Sequence, residues 1–216
     1  AFSGAWRLRG SASGLPVYSW KDRPDPTTYV GDVIFRDIGV RGSRWTSDGL
    51  YWAPFGGNQI VLDVQNFDVA YTDDRTTEQV LYEYHLPPGL MRENYAIEVM
   101  AKNTWGAFGS AVTRSLRFYV GSAQLGATNN GGATALTSTK WHGFSFENKN
   151  ALGSQIGEAN GYAGVAAQQA SVGFTTTTAD STKYIPIQLR GIITTLGSGT
   201  MTNALNAVRL TLIPGY

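Results

Sequence analysis

Hydrophobic and polar positions alternate with a period of two in several stretches of the chain. Tyr95, Ile97, Val99 and Ala101 alternate with Ala96, Glu98, Met100 and Lys102. Leu116, Phe118 and Val120 alternate with Ser115, Arg117 and Tyr119, and His142, Phe144 and Phe146 with Trp141, Gly143 and Ser145. Ile185, Ile187, Leu189 and Ile193 share one parity, as do Val208, Leu210 and Leu212. Successive side chains of a strand point to opposite faces, so each run predicts a strand with one buried face and one wet or partnered face. Residues 95–120 read as a hairpin, with Asn103-Thr104-Trp105-Gly106-Ala107-Phe108-Gly109 as its loop. Gly-, Asn- and Thr-rich stretches at 126–132 and 197–199 read as further loops. Residues 157–170 carry five alanines, but Gly157, Gly161 and Gly164 oppose a helix there.

Nearer the start, Val33-Ile34-Phe35, Arg44-Trp45-Thr46 and Leu50-Tyr51-Trp52 are short strands. Turns at Asp37–Gly39, Arg41–Ser43 and Ser47–Gly49 separate them, which makes a small meander. Residues 1–28 are punctuated by Gly4, Gly10, Gly14, Pro16, Pro24 and Pro26 and read as irregular. Phe2, Trp6, Tyr18 and Trp20 are too many large rings for a disordered tail and are expected to dock against a neighbouring subunit. The partition is an N-terminal segment over 1–28, a small β neck-like module over 29–62 and a head domain over 63–216. The fold class is all-β, an antiparallel jelly-roll-like sandwich, with strand order left open.

Composition sharpens this picture. The chain has 26 glycines and only 15% charged residues, the profile of a turn-rich β protein with a polar, uncharged surface. Lys and Arg number 17 against 16 Asp and Glu, with no basic run, so no nucleic-acid partner is expected. There is no cysteine, which excludes disulfides and thiolate metal sites. The apolar runs are short, so no membrane insertion is expected. The sequence opens Ala1-Phe2-Ser3-Gly4, with no Met, and reads as a fragment or a processed product.

Catalysis finds little footing in the sequence. Cleaving a glycosidic bond takes two carboxylates facing the sugar. The densest acidic segment, Asp68, Asp73, Asp74 and Glu78, reads as a solvated turn. Asp-x-Asp-x-Asp spacing with a glycine, which would hold a hard cation, is absent. His85 and His142 are the two histidines; His142 shares parity with Phe144 and Phe146 and is expected to pack inside, while His85 is expected to end a strand. The expectation is a protein that is not an enzyme and uses no cofactor and no metal.

Gly31-Asp32-Val33-Ile34-Phe35-Arg36-Asp37-Ile38-Gly39, followed by Gly42-Ser43-Arg44-Trp45-Thr46-Ser47-Asp48-Gly49 and Trp52-Ala53-Pro54, resembles a module of bacteriophage tail fibres and tail spikes. That module sits just before the C-terminal head. His85–Leu90 with Asn94–Val99, and Ser115–Gly121, resemble the opening strands of jelly-roll heads in the same proteins. The resemblance implies a homotrimer in the virion, in a tail fibre or spike, joined to other tail proteins through its N-terminal side. It also implies attachment to a bacterial surface polysaccharide or protein receptor. A structural trimerisation or capping module, or a glycan-degrading spike domain, are the alternatives.

Sugar recognition needs exposed aromatic rings, which stack on the C–H faces of a pyranose, beside side chains that bond its hydroxyls. Trp105 in its loop, Trp141 beside the small Gly143 and Ser145, and the amides of Asn103, Asn129 and Asn130 are therefore the candidate receptor-binding residues. The competing role for both tryptophans is packing between subunits. Trp45 and Trp52 are assigned to the core of the small module.

Overall fold

A computed structural model describes residues 14–71, 77–106, 112–132, 138–148, 155–161, 170–171, 175–177, 179–195 and 203–215. They form a small sheet and two larger ones. Strands β1 (Val17–Tyr18), β2 (Asp32–Phe35), β3 (Ser43–Ser47) and β4 (Trp52–Pro54) make the small sheet, in that order. It begins inside the segment that reads as irregular. Only β1 and β2 run parallel.

The head is a jelly-roll-like β-sandwich. Its strands are β5 (Ile60–Tyr71), β6 (Gln79–Leu86), β7 (Ala96–Trp105), β8 (Val112–Val120), β9 (Ala123–Gly132), β10 (Ser138–Asn148), β11 (Gln155–Gly161), β12 (Ala170–Ser171), β13 (Thr175–Thr177), β14 (Ile185–Thr195) and β15 (Asn203–Ile213). One sheet has the order β13-β11-β10-β7-β15-β5 and the other β12-β9-β8-β14-β6. Their inner faces meet where Phe118 of β8 stacks on Phe144 of β10, centroids 5.3 Å apart and planes at 22°. The predicted inward parities hold: Ile97, Val99, Leu116, Phe118, Phe146, Ile187, Leu189 and Leu210 are all buried.

Two expectations change. Residues 95–120 are not a hairpin, because β7 pairs with β10 and β15 while β8 pairs with β9 and β14. Alternation marks a buried face; it does not name the strand's partner. Residues 126–132 are not a loop, because β9 pairs with β8 without a break from Gly126 opposite Phe118 to Gly132 opposite Val112. Ladder hydrogen bonds here override the poor strand propensity of glycine and asparagine. The loop expected at 197–199 lies outside the described residues.

Trp20 finds its place within its own chain rather than between subunits. It is buried, packs on Phe35 and Trp45 at 4.9 and 5.1 Å, and donates its Nε1–H to the carbonyl of Pro88 at 2.8 Å. Tyr18 lies edge-on to Tyr29 at 6.5 Å. Phe2 and Trp6 lie outside the described residues. Trp45 and Trp52 are buried beside Phe35, and these rings are continuous with Ile60, Leu86, Leu90 and Met91 of the head. Gly39 suits the tight junction. Its φ is +84°, a conformation that strains any residue with a Cβ, and a Cβ there would crowd Ile60 Cγ2 at 3.0 Å; next to it Val40 N–H donates to the carbonyl of Val61 at 3.0 Å. The small sheet therefore sits at the end of the sandwich where β5 starts and β6 stops. The opposite end gathers Tyr71, Trp105, Ser138 and Asn203 in one sheet and Val112, Gly132 and Thr195 in the other.

Candidate functional site

The structure separates the five candidate residues. Asn103 and Trp105 are buried, 0% and 1% exposed, so neither can line a surface. Trp105 is not at a loop tip: it ends β7 and continues the inward parity of Ile97, Val99 and Ala101. Asn129 and Asn130 lie on β9 opposite Ser115 and Arg114, and their side chains are outside the described residues. Trp141 stands on the outer face of β10, 44% exposed.

Asn103 and Trp105 belong to a polar end of the core. On β7 the inward residues pass from Ala101 to Asn103, on β10 from Phe144 to His142 and Lys140, on β8 from Leu116 to Arg114, and on β15 from Leu205 to Asn203; all are buried. Arg114 Nη1 donates to the carbonyl of Gly106 at 2.9 Å and to Asn203 Oδ1 at 3.0 Å. Its guanidinium carbon lies 5.2 Å from the Trp105 ring centroid. Burial, and secondarily the Lys140 charge, lower the His142 pKa to about 4, so this imidazole is neutral at pH 7. The inward parities of Arg114 and Asn203 carried this signal in the sequence.

The surface built around Trp141 has a different chemistry. Cross-strand pairing sets Lys102 opposite Trp141 and Met100 opposite Gly143 on the same outer face. The indole itself is partly open to solvent. Beside it a string of polar side chains crosses four strands. The Thr139 and Thr104 hydroxyls are 2.9 Å apart; Thr104 Oγ1 donates to Asn206 Oδ1 at 2.6 Å; Asn206 Nδ2 donates to Asp68 Oδ1 at 2.6 Å. The string fixes the orientation of the Asn206 amide. The surface thus offers an aromatic face, an ammonium group, hydroxyls and a carboxylate side by side. The sequence placed Trp141 on this face; the string formed by Thr139, Thr104, Asn206 and Asp68 was not foreseeable, because its contacts join positions far apart in the chain.

The acidic segment does not form a facing pair among its described members. Asp68 lies on β5 in one sheet. Glu78, just before β6 of the other sheet, is held by Arg117, by the Tyr119 hydroxyl at 2.8 Å and by Arg190 at 3.4 Å. Burial acts to raise the Glu78 pKa, but those hydrogen bonds and the Arg117 charge hold it below the usual carboxylate range. Asp73 and Asp74 are outside the described residues. His85, the penultimate residue of β6, lies 3.0 Å from Glu83 Oε1.

No protein-family model matches the sequence, and no curated protein matches it. Among solved structures, a chain of infectious bursal disease virus, Gx strain, is similar at 9% identity and a TM-score of 0.34, over 73% of this chain and 33% of that one. The Gt strain gives 10% identity and 0.29, over 72% and 32%. Peanut lectin with a bound 9mer peptide gives 7% identity and 0.32, over 86% and 98%. The chain spans about a third of the length of the virus chains it matches.

Proposed function

We propose that this chain is the receptor-binding head of a bacteriophage tail fibre or spike, a homotrimer that attaches the virion to a bacterial surface glycan without chemical turnover. The sequence resemblance over residues 31–54 supports the family. The small sheet at one end of the sandwich supports the polarity, with other tail proteins joined on that side. The observation that carries the glycan reading is Trp141, 44% exposed on an open sheet face beside the Thr139–Thr104–Asn206–Asp68 string. The indole stacks on the C–H face of a sugar, and the string and Lys102 bond its hydroxyls. No proton transfer and no metal are needed. A shallow face binds weakly, and three copies on one rigid trimer raise the avidity by about 10²-fold or more.

The second reading, a trimerisation or capping module, is favoured by Val64. It is 44% exposed and shares the outer face through Arg209, which pairs with both Val64 and Met100. A second copy covering that face would bury Trp141 instead of a sugar. Binding of the purified protein to intact bacteria, before and after their surface polysaccharide is stripped, separates the readings. The glycan reading expects binding that stripping abolishes; absence of binding to every strain in a broad panel favours the structural role.

A further inference from the structure

Where the small sheet meets the sandwich, a cleft of about 250 Å³ opens between Trp20, Arg23, Tyr51, Gly89, Arg92 and Thr182. Two arginines and no carboxylate are among its lining residues. Arg92 has a counter-ion, Asp48 at 3.1 Å, and lies 4.3 Å over the half-exposed Tyr51 ring. Arg23 makes no ion pair among the described residues. It is held by the protein all the same, with its guanidinium 4.6 Å over Trp20 and Nη1 donating to the Trp20 carbonyl at 2.8 Å. Gly89 keeps the space open, since a Cβ there would lie 3.3 Å from Arg23 Nη2. A planar fork of donors, fixed against a ring and partly out of water, is suited to a planar or tetrahedral oxyanion.

We propose that this cleft binds a pyranose-sized ligand carrying one anionic group, carboxylate or phosphate, with Arg23 as the ion-pairing residue and the Tyr51 ring as the stacking surface. Arg92 sits beside Tyr51 and presents further N–H donors, and the Thr182 oxygen can accept from a sugar hydroxyl while its own proton goes to Asp180. The site is separate from the Trp141 face and draws on none of its residues.

Titration of the intact protein with glucuronate, glucose 6-phosphate and glucose, followed by calorimetry and tryptophan emission, tests this. At least one of the two anions should bind about tenfold or more tightly than glucose, and should weaken as salt is raised. Which anion binds better identifies the ligand's charged group. Arg23→Gln should reduce anion binding by roughly tenfold, whereas Trp141→Ala should leave the titration unaltered. Tyr51 is half exposed, so Tyr51→Ala keeps the fold and should weaken the anion even if Arg23→Gln does not fold. Glucose binding as tightly as the anions, no anion binding at about 50 mM, or anion binding that survives Tyr51→Ala together with every Arg23 variant that folds overturns the assignment.

Discussion

Trp105 and His142 meet edge to face inside one chain, with ring centroids 5.9 Å apart and planes at 88°. The indole is 1% exposed and the imidazole 5%. Trp105 is therefore part of what closes the far end of the core. Trp105→Ala should lower stability by about 3–5 kcal/mol, the range for deleting a large buried ring. Chemical denaturation checks this, and an unchanged midpoint would mean that the ring packs on nothing that matters.

The same pair makes stability depend on pH. Burial first, and the Lys140 charge second, hold His142 at about 4, against about 6.5 when unfolded. As pH falls, the unfolded chain takes up this proton first. The contribution is complete above about 6.5 and lost progressively down to about 4, on the order of 3 kcal/mol in all. Unfolding free energies at pH 7 and pH 4.5 should therefore differ less in His142→Gln than in the parent. Equal differences would contradict the assignment.

Trp20→Ala should destabilise the isolated chain by about 3–5 kcal/mol, because it removes ring contacts to Phe35 and Trp45 and the bond to the Pro88 carbonyl. The loss should not depend on protein concentration, as it would if Trp20 packed between subunits. Melting curves across a hundredfold dilution, roughly, measure this directly.

Five of the strands were legible because burial repeats every second residue. β7, β8, β10, β14 and β15 lie where alternation put them. β9 was hidden because Gly126, Asn129, Asn130 and Gly132 carry no apolar pattern, and its strand exists through pairing with β8. The partners of β7 were hidden because parity says which face is buried and nothing about the neighbouring strand. Trp105 was within reach: Ile97, Val99, Ala101, Asn103 and Trp105 share one parity, and the polar Asn103 masked the run. Trp141 was legible because it lies on the parity opposite Phe144 and Phe146, which fill the core. The polar string beside it and the Arg23 cleft were not, since each joins residues that only the fold brings together.

The central claim is that Trp141 and its face hold a bacterial surface glycan. The most direct test is binding of the parent and Trp141→Ala to an array of bacterial surface polysaccharides, with sedimentation of both proteins. The expected result is that both sediment as the same trimer, while the variant loses the parent's glycan signal by about tenfold or more, as removal of a stacking ring from each of three linked sites should give. A variant that binds as well as the parent, or that fails to assemble, would contradict the account: the first takes the glycan off this face, and the second makes Trp141 a contact between subunits.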